Sequence, residues 1–299
     1  PASAGLAEVL ISPVIAAIPA ENPESEMSKL HSVYAWGVVG VVIVSTLFLL
    51  VFGDKNWQWL ALLWMLVPLA SFFLFFKSEL PQLKTPEKAS NVWTLIKEKG
   101  FIICFFCIFF GGASECTMSQ WSSSYLEQAL NIPKLWGDIF GVAMFAVMLG
   151  LGRTLYSKFG SNIYKVLIAG AAGAFICYVT AALSNTAAVG LAACALTGLC
   201  TSMLWPGSLI AASDKFPSSG VAIFALMAAG GDLGASIAPQ LVGIVTDFAV
   251  KNEYISGLTN SLALTAEQLG MKIGLVSASV FPIFALILFI SAYKQAKRK

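Results

Sequence analysis

The amino-acid sequence predicts an all-α protein that crosses a membrane many times. Of its 299 residues, 58% are hydrophobic and only 11% are charged, whereas ordinary soluble domains carry roughly a quarter charged residues. The mean hydropathy is +0.79. This composition excludes a soluble globular domain and a disordered chain, which needs low hydrophobicity and high charge. A net charge of +2 supplies no basic face for a nucleic acid, so no nucleic-acid partner is expected.

Nine apolar runs are long enough to cross a bilayer, because a transmembrane helix needs about 20 mostly apolar residues. They are residues 2–20, 30–53, 57–77, 99–126, 136–157, 163–183, 186–212, 219–246 and 272–293. Helices are expected, since lipid offers no partner to an unpaired backbone group. Alternation typical of strands is absent.

The distribution of Lys and Arg orients these spans. If the loop after the first span lies inside and the loops alternate from there, all but four of the 18 basic residues fall inside or at inner span ends. The four outside are Lys55, Lys134, Lys251 and Lys272. The positive-inside rule therefore predicts a multi-pass protein of the plasma (inner) membrane, with an external amino terminus and a cytoplasmic carboxyl terminus.

The longest polar connection divides the chain. Residues 78–98 contain two prolines and charges of both signs, a composition typical of a linker. We predict a partial amino-terminal bundle of three helices in residues 1–77, a cytoplasmic linker in 78–98 and a six-helix bundle in 99–299.

A weak internal repeat relates the first span to the seventh. Residues 5–13 (GLAEVLISP) and 198–206 (GLCTSMLWP) share Gly, Leu and Pro at one constant spacing, and transporters are often built from such repeats. If the six spans after the linker form one complete half, the half before it should also contain six. We therefore expect three further spans upstream, which makes the first visible span the fourth of twelve.

Polar side chains form stripes at helical spacing within four spans. The stripes are Glu8 and Ser12; Glu115, Ser119 and Ser122; Asp232, Ser236 and Gln240; and Thr197, Thr201, Trp205 and Ser208. Each stripe occupies one face of its helix. An ionisable group inside a span costs about 2.5–3.5 kcal/mol on insertion scales and usually faces a cavity. Four such faces can enclose a polar cavity near the membrane midplane.

The acids and aromatic residues suggest roles in that cavity, each with an alternative. Glu8 or Glu115 can serve as a proton-coupling site, or can pair with another polar group only to hold helices together. Asp232 has the same two interpretations, and its Gly-rich surroundings suit close helix packing. Gln120, Trp121 and Trp205 offer stacking and hydrogen bonds to a polar organic substrate such as a sugar. The alternative for the two tryptophans is a position in a membrane-interface belt.

Other residues give weaker signals. His31, the one histidine, lies near the start of the second span and is predicted to be an interfacial residue rather than a proton relay. Cys104 and Cys107 form a CxxC within an apolar run, without a second ligand pair, so no zinc site is expected. A membrane enzyme would need a nucleophile–base pair or a metal cluster, and the sequence contains no HExxH or GxSxG motif.

Three stretches carry a family resemblance: residues 5–13, residues 152–160 (GRTLYSKFG), and the WPG…FP and GGDLG…P segments of 205–217 and 230–239. Together they resemble the major facilitator superfamily, and within it the branch of the fucose–proton symporter. The first is similar to that branch's fourth helix, in which a Glu precedes Asn-Pro and Ser12 here replaces the Asn. The second is similar to the second cytoplasmic signature loop, with Ser157 in place of the usual Asp. The third is similar to helices ten and eleven.

The resemblance implies major facilitator-type helical bundles, of which this chain would carry helices 4–12. It also implies a secondary active transporter that moves a small polar organic solute by alternating access. A proton or sodium gradient would drive transport, without a cofactor or metal. Glu8 matches the branch's proton-linked Glu. Arg153 and Lys158 would form a cytoplasmic gate, or else be simple positive-inside anchors. The expected partners are a small-molecule substrate and membrane lipid, with the protein acting as a monomer. A transporter-like sensor or a non-transporting binding protein is the alternative.

Overall fold

The computed structural model describes residues 2–81, 92–160 and 162–297, and no strand occurs within these ranges. The α-helices are α1 (Ala2–Ala17), α2 (Pro23–Phe52), α3 (Trp57–Lys77), α4 (Val92–Lys97), α5 (Lys99–Leu130), α6 (Lys134–Trp136), α7 (Met144–Phe159), α8 (Ile163–Leu183), α9 (Ala187–Thr201), α10 (Leu204–Lys215), α11 (Val221–Lys251), α12 (Glu253–Gly257), α13 (Thr259–Leu262), α14 (Ala266–Ala278) and α15 (Val280–Ala296). Short 3-10 turns span Asp54–Asn56 and Pro217–Ser219, and a π-helical stretch spans Gly137–Ala143.

Eight helical segments of the described chain are long and apolar enough to cross a membrane, which confirms the all-α polytopic class. They are Pro23–Phe52, Asp54–Lys77, Lys99–Leu130, Lys134–Phe159, Ile163–Leu183, Ala187–Lys215, Val221–Lys251 and Ala266–Ala296. Nine such runs were predicted, and the difference is α1. Its 16 described residues reach about 24 Å at 1.5 Å per residue, less than the roughly 30 Å of a hydrocarbon core.

Helix α5 forms the centre of the described structure. It runs unbroken for 32 residues and packs against α9, α10, α11, α14 and α15. Glycines bring α5 and α11 together, because a Cβ at Gly234 would collide with the carbonyl of Phe109 and one at Gly112 would lie 2.8 Å from the carbonyl of Gly231. The backbones therefore approach more closely than larger side chains would permit.

The amino-terminal helices differ in how they pack. Helix α2 lies along α7, and α1 contacts α2 and α11. Helix α3 is exposed along most of its length, and Leu60 is its one buried residue, which suits a helix surrounded by lipid. The division into residues 1–77, 78–98 and 99–299 stays a prediction, and positions 82–91 of the predicted linker lie outside the described residues.

Two spans contain interruptions with local causes. The helix breaks between Thr201 and Leu204, four residues before Pro206. A proline has no N–H to donate to the carbonyl four residues earlier, so the carbonyl of Ser202 is released from the helix. Between α6 and α7 the chain widens into the π-helical stretch, which packs on α5; there Ser123 Oγ donates to Asp138 Oδ1 at 2.5 Å.

One predicted outer-loop charge is buried instead. Lys272 lies in α14 with 7% of its surface exposed. Its ammonium group donates to the carbonyls of Ala182, at 3.3 Å, and Ser184, which end α8. A cation at a helix carboxyl terminus interacts favourably with the helix dipole, so Lys272 joins α14 to the end of α8.

The apolar core consists of two clusters along α5. One includes Ile108, Leu167 and Phe289, and the other includes Met118 and Tyr178. The clusters belong to successive stretches of α5, before and after the midpoint of the helix. Polar groups at that midpoint therefore lie between two apolar layers.

Candidate functional site

A cavity of about 480 Å³ lies where the amino-terminal helices meet the carboxyl-terminal ones. Six helices line it: α1, α2, α5, α7, α10 and α11. Its lining residues are Ala7, Ile11, Ser12, Leu30, His31, Tyr34, Glu115, Cys116, Arg153, Trp205, Asp232 and Ala235. Five of the residues predicted as functional thus meet at one cavity, namely Ser12, Glu115, Arg153, Trp205 and Asp232.

The chemical centre of the cavity wall is an ion pair between Glu115 and Arg153. Nη2 of Arg153 donates to both carboxylate oxygens, at 2.8 and 2.9 Å. The two side chains are only 8% and 2% exposed, respectively. Glu115 lies at the midpoint of α5, so the pair lies deep within the span. Removing two charges from water is costly, and this geometry offsets the cost through charge-assisted hydrogen bonds.

Arg153 makes further hydrogen bonds that hold its guanidinium plane. Nε donates to the carbonyl of Ser202 at 2.8 Å, and Nη1 donates to the carbonyl of His31 at 3.0 Å. The first acceptor is available because Pro206 leaves it without a helical partner. Tyr34 places its ring 5.9 Å from the guanidinium carbon, within the range of a cation–π interaction. One arginine thus joins α7 to α2, α5 and the α9–α10 break.

The two residues predicted to form a cytoplasmic gate lie in different environments. Arg153 was assigned to the inner end of its span, but it is 1% exposed and contacts the cavity. Lys158 lies near the end of α7, where it is exposed. The sequence pattern did not separate these positions, because burial of Arg153 depends on a partner from another helix. A gate formed by the two residues together stays a prediction.

Helices α2 and α7 are joined by hydrogen bonds from neutral side chains. Ser28 Oγ donates to the carbonyl of Arg153 at 2.7 Å, and Ser25 Oγ donates to the carbonyl of Ser157 at 2.6 Å. The hydroxyl of Tyr156 donates to Glu24 at 2.8 Å. These bonds lie towards the carboxyl-terminal end of α7, and they hold α2 and α7 together there.

Trp205 lies in a slot formed by two glycines. A Cβ at Gly112 would lie 2.8 Å from the indole ring, and a Cβ at Gly231 would also collide with it. The ring is 8% exposed and still lines the cavity. Its orientation is therefore set by packing between α5 and α11, which places an indole surface at the cavity wall.

Of the polar stripe on α11, which consists of Asp232, Ser236 and Gln240, only Asp232 is among the residues that line the cavity. Asp232 lines the cavity and is exposed, as are Ser236 and Gln240. The latter two are not among the lining residues. Among the described residues of the cavity wall, Asp232 is therefore the second acid, and its side chain is more exposed than that of Glu115.

Four other predicted residues are absent from the cavity wall. The indole N–H of Trp121 donates to the carbonyl of Pro239 at 3.2 Å, a contact between α5 and α11. The Thr201 hydroxyl is buried and donates to the carbonyl of Thr197 at 2.9 Å, within its own helix. Ser119 is half-buried and Gln120 is exposed. Glu8 belongs to α1, but its side chain lies outside the described part of the structure.

The residues of the wall that the sequence analysis missed include His31 and Tyr34. His31 was predicted to be interfacial, whereas the structure places it in the cavity wall with Nε2 buried and without a hydrogen-bond partner. A signal was present, because Ser28, His31 and Tyr34 follow one another at intervals of three residues, the spacing of a helical face.

Within the described residues, no group of three or more His, Cys, Asp or Glu side chains is placed to hold a metal ion.

Comparison with curated protein sequences gives no significant match. The family model of the Major Facilitator Superfamily matches residues 2–239, most of the chain. This chain therefore belongs to the major facilitator superfamily, whose members are transporters of small solutes.

Proposed function

We propose that this protein couples the movement of a small polar organic solute, with a sugar as the first candidate, to the movement of protons by alternating access. The observation that carries the proposal is the buried Glu115–Arg153 pair in the wall of a cavity between two groups of helices. Secondary transporters bind substrate near the membrane midplane between such groups. Plasma-membrane location, an internal carboxyl terminus and a monomeric state belong to the same proposal.

The cavity offers suitable chemistry for such a solute. Its volume of about 480 Å³ lies within the usual 300–1,000 Å³ range of small-molecule sites. Trp205 supplies an aromatic surface, while Asp232 and Ser12 supply hydrogen-bonding groups. A pyranose ring presents apolar C–H faces and a rim of hydroxyls, so an indole and a few polar groups can bind both parts.

Glu115 supports proton coupling through its partner. In the described conformation its carboxylate is compensated by Arg153, so the pair is neutral as a whole. Addition of a proton to Glu115 removes the attraction and weakens both hydrogen bonds from Nη2. Because Arg153 also binds carbonyls of α2 and of the α9–α10 break, a change at Glu115 would reach the helices on both sides of the cavity.

Proteoliposomes provide the test. The protein is reconstituted with an internal pH dye, and radiolabelled D-galactose, D-glucose and D-galacturonate are supplied with and without an inward proton gradient. We expect gradient-dependent accumulation of at least one solute, accompanied by proton entry. Glu115→Gln should abolish accumulation, because the variant cannot take up the proton, while solute exchange without a gradient persists.

Glu127→Gln is the matched control, since Glu127 lies on the same helix outside the cavity wall. It should transport like the wild type. Accumulation that survives Glu115→Gln would contradict proton coupling at this residue. Solute binding without transport in any condition would favour a sensor or binding protein instead.

A further inference from the structure

The Glu115–Arg153 pair also suggests which solutes the cavity accepts. We infer that the solute carries a carboxylate, which takes the place of Glu115 on the guanidinium of Arg153 when Glu115 is protonated. The preferred class is a monocarboxylate with several hydroxyls, such as a sugar acid. This inference rests on the proposed function and narrows it to one substrate chemistry.

Geometry is the first argument. A charged guanidinium nitrogen makes strong hydrogen bonds to a carboxylate, and Nη2 of Arg153 alone donates to both oxygens of Glu115. Both side chains line the cavity. A solute carboxylate can therefore reach the position that the Glu115 carboxylate holds and make the same kind of contact.

The second argument is that Arg153 stays in place during the exchange. Nε is held by the carbonyl of Ser202 and Nη1 by the carbonyl of His31. Neither bond involves Glu115. The guanidinium plane is consequently fixed from the α2 and α10 sides, and a binding group that is already oriented loses less freedom when a ligand arrives.

Charge balance is the third argument. Before binding, Arg153 and Glu115 together are neutral. A hydronium ion in the cavity gives up a proton, which forms an O–H bond on Glu115 and leaves a water molecule. The solute carboxylate then compensates Arg153, so the Arg153–Glu115 site with its ligand is again neutral. One proton and one carboxylate enter together, so the exchange adds no net charge to the Arg153–Glu115 site, where an added charge would be costly. Release of both restores the original pair.

The rest of the wall selects among carboxylates. Among the described residues that line the cavity, Asp232 is the other acid. It would repel a second carboxylate and can accept hydrogen bonds from hydroxyls, so diacids are disfavoured and hydroxylated monoacids are favoured. The other titratable groups among the described lining residues are His31, Tyr34 and Cys116.

The first test compares an acid with its neutral analogue. Isothermal titration calorimetry on the detergent-solubilised protein measures binding of D-galacturonate and of D-galactose, which differ in one carboxylate. We expect galacturonate to bind at least about tenfold more tightly, the difference that a charge-assisted hydrogen bond provides. Galactose binding as tightly as galacturonate would overturn the inference.

The second test measures protons. Titrations in buffers of different ionisation enthalpy should give an uptake of about one proton per galacturonate, at a pH where Glu115 is ionised in the free protein. In Glu115→Gln the competing carboxylate is gone, so galacturonate should bind about tenfold more tightly and without proton uptake. Glu127→Gln should behave like the wild type. If Glu115→Gln does not fold, the wild-type value decides, and zero uptake contradicts the exchange.

A third variant keeps the positive charge but changes how it is held. Arg153→Lys keeps a cation but loses the Nε and Nη1 donors that fix the guanidinium plane on the carbonyls of Ser202 and His31, and it should weaken galacturonate binding by at least about tenfold. Unchanged binding in this variant would contradict the assigned position of the carboxylate.

These outcomes are separable from the transport proposal. If vesicles accumulate galactose while galacturonate fails to bind, proton-coupled transport would be supported and the inference of a carboxylate substrate would be contradicted. If galacturonate binds with proton uptake but does not move into vesicles, the exchange on Arg153 would be supported and the proposal of transport would be contradicted.

Discussion

The protein contains two ion pairs of nearly equal length in opposite surroundings. Arg153 Nη2 and Glu115 Oε1 are 2.8 Å apart at side-chain exposures of 2% and 8%, whereas Lys29 Nζ and Glu26 Oε1 are 2.7 Å apart at exposures of 56% and 43%. The first joins two helices in the interior of the span, and the second joins successive turns of α2. Distance therefore says little about the importance of either pair. The number of other groups that bind each cation is a better guide to how much each pair contributes to stability.

The largest effect should follow removal of the buried cation. Arg153→Met leaves Glu115 as an uncompensated buried charge, and we expect the free energy of unfolding to fall by about 3–5 kcal/mol. Denaturation by SDS in mixed micelles measures this. The double variant Arg153→Met with Glu115→Leu should recover much of the loss, because replacement of both charges removes the desolvation cost. A double variant as unstable as the single one would show that carbonyl contacts, not the ion pair, dominate.

The buried ammonium group of Lys272, which is held by backbone carbonyls, should give the next largest effect. Lys272 is held by the carbonyls of Ala182 and Ser184, so Lys272→Met leaves both acceptors unpaired and removes a favourable charge at the end of α8. We expect a loss of about 2 kcal/mol. The exposed Lys251 at the end of α11 is the control, and Lys251→Met should change stability by less than about 0.5 kcal/mol.

The hydroxyl that supports Arg153 from α2 gives an intermediate test. Ser28 is fully buried and donates to the carbonyl of Arg153. Ser28→Ala should cost about 1 kcal/mol, the usual net contribution of one hydrogen bond. Ser28→Cys, which keeps a weak donor of similar size, should cost less. Equal stability of the wild type and Ser28→Ala would indicate that the α2–α7 contact does not depend on this bond.

The exposed pair should give the smallest effect. Lys29→Met removes one partner of an i,i+3 pair at the surface of α2, and we expect a change of about 0.5 kcal/mol or less, because water screens both charges. The same denaturation assay applies. A loss as large as that of Arg153→Met would mean that burial is not the property that separates the two pairs.

The sequence predicted correctly those features that depend on a single helix. Helical spacing placed Glu115, Asp232 and Trp205 on inward faces, and those faces do meet at one cavity. The composition also predicted the membrane class, because the length and hydropathy of each run are local properties.

Contacts between helices could not be predicted from the sequence. Arg153 was predicted as a gate residue because its charge and its place near a span end suit that role, and its pairing with Glu115 depends on how α7 packs against α5. The spacing of Ser28, His31 and Tyr34 marks one face of α2, but the packing of α2 is needed to show that this face meets the cavity. Thr201 had the right spacing, but its hydroxyl binds its own helix instead.

The π-helical stretch before α7 has an evolutionary consequence. A π turn holds one residue more than an α turn, and each residue of an α-helix rotates the chain by about 100°. The π turn therefore accommodates its extra residue locally, and deleting one residue from Gly137–Ala143 would give an ordinary helix with little rotation of α7. Deleting one residue between Met144 and Arg153 would instead rotate Arg153 by about 100° relative to the start of the span. In homologous sequences that keep both Arg153 and Glu115, one-residue gaps should therefore fall within Gly137–Ala143 and not between Met144 and Arg153.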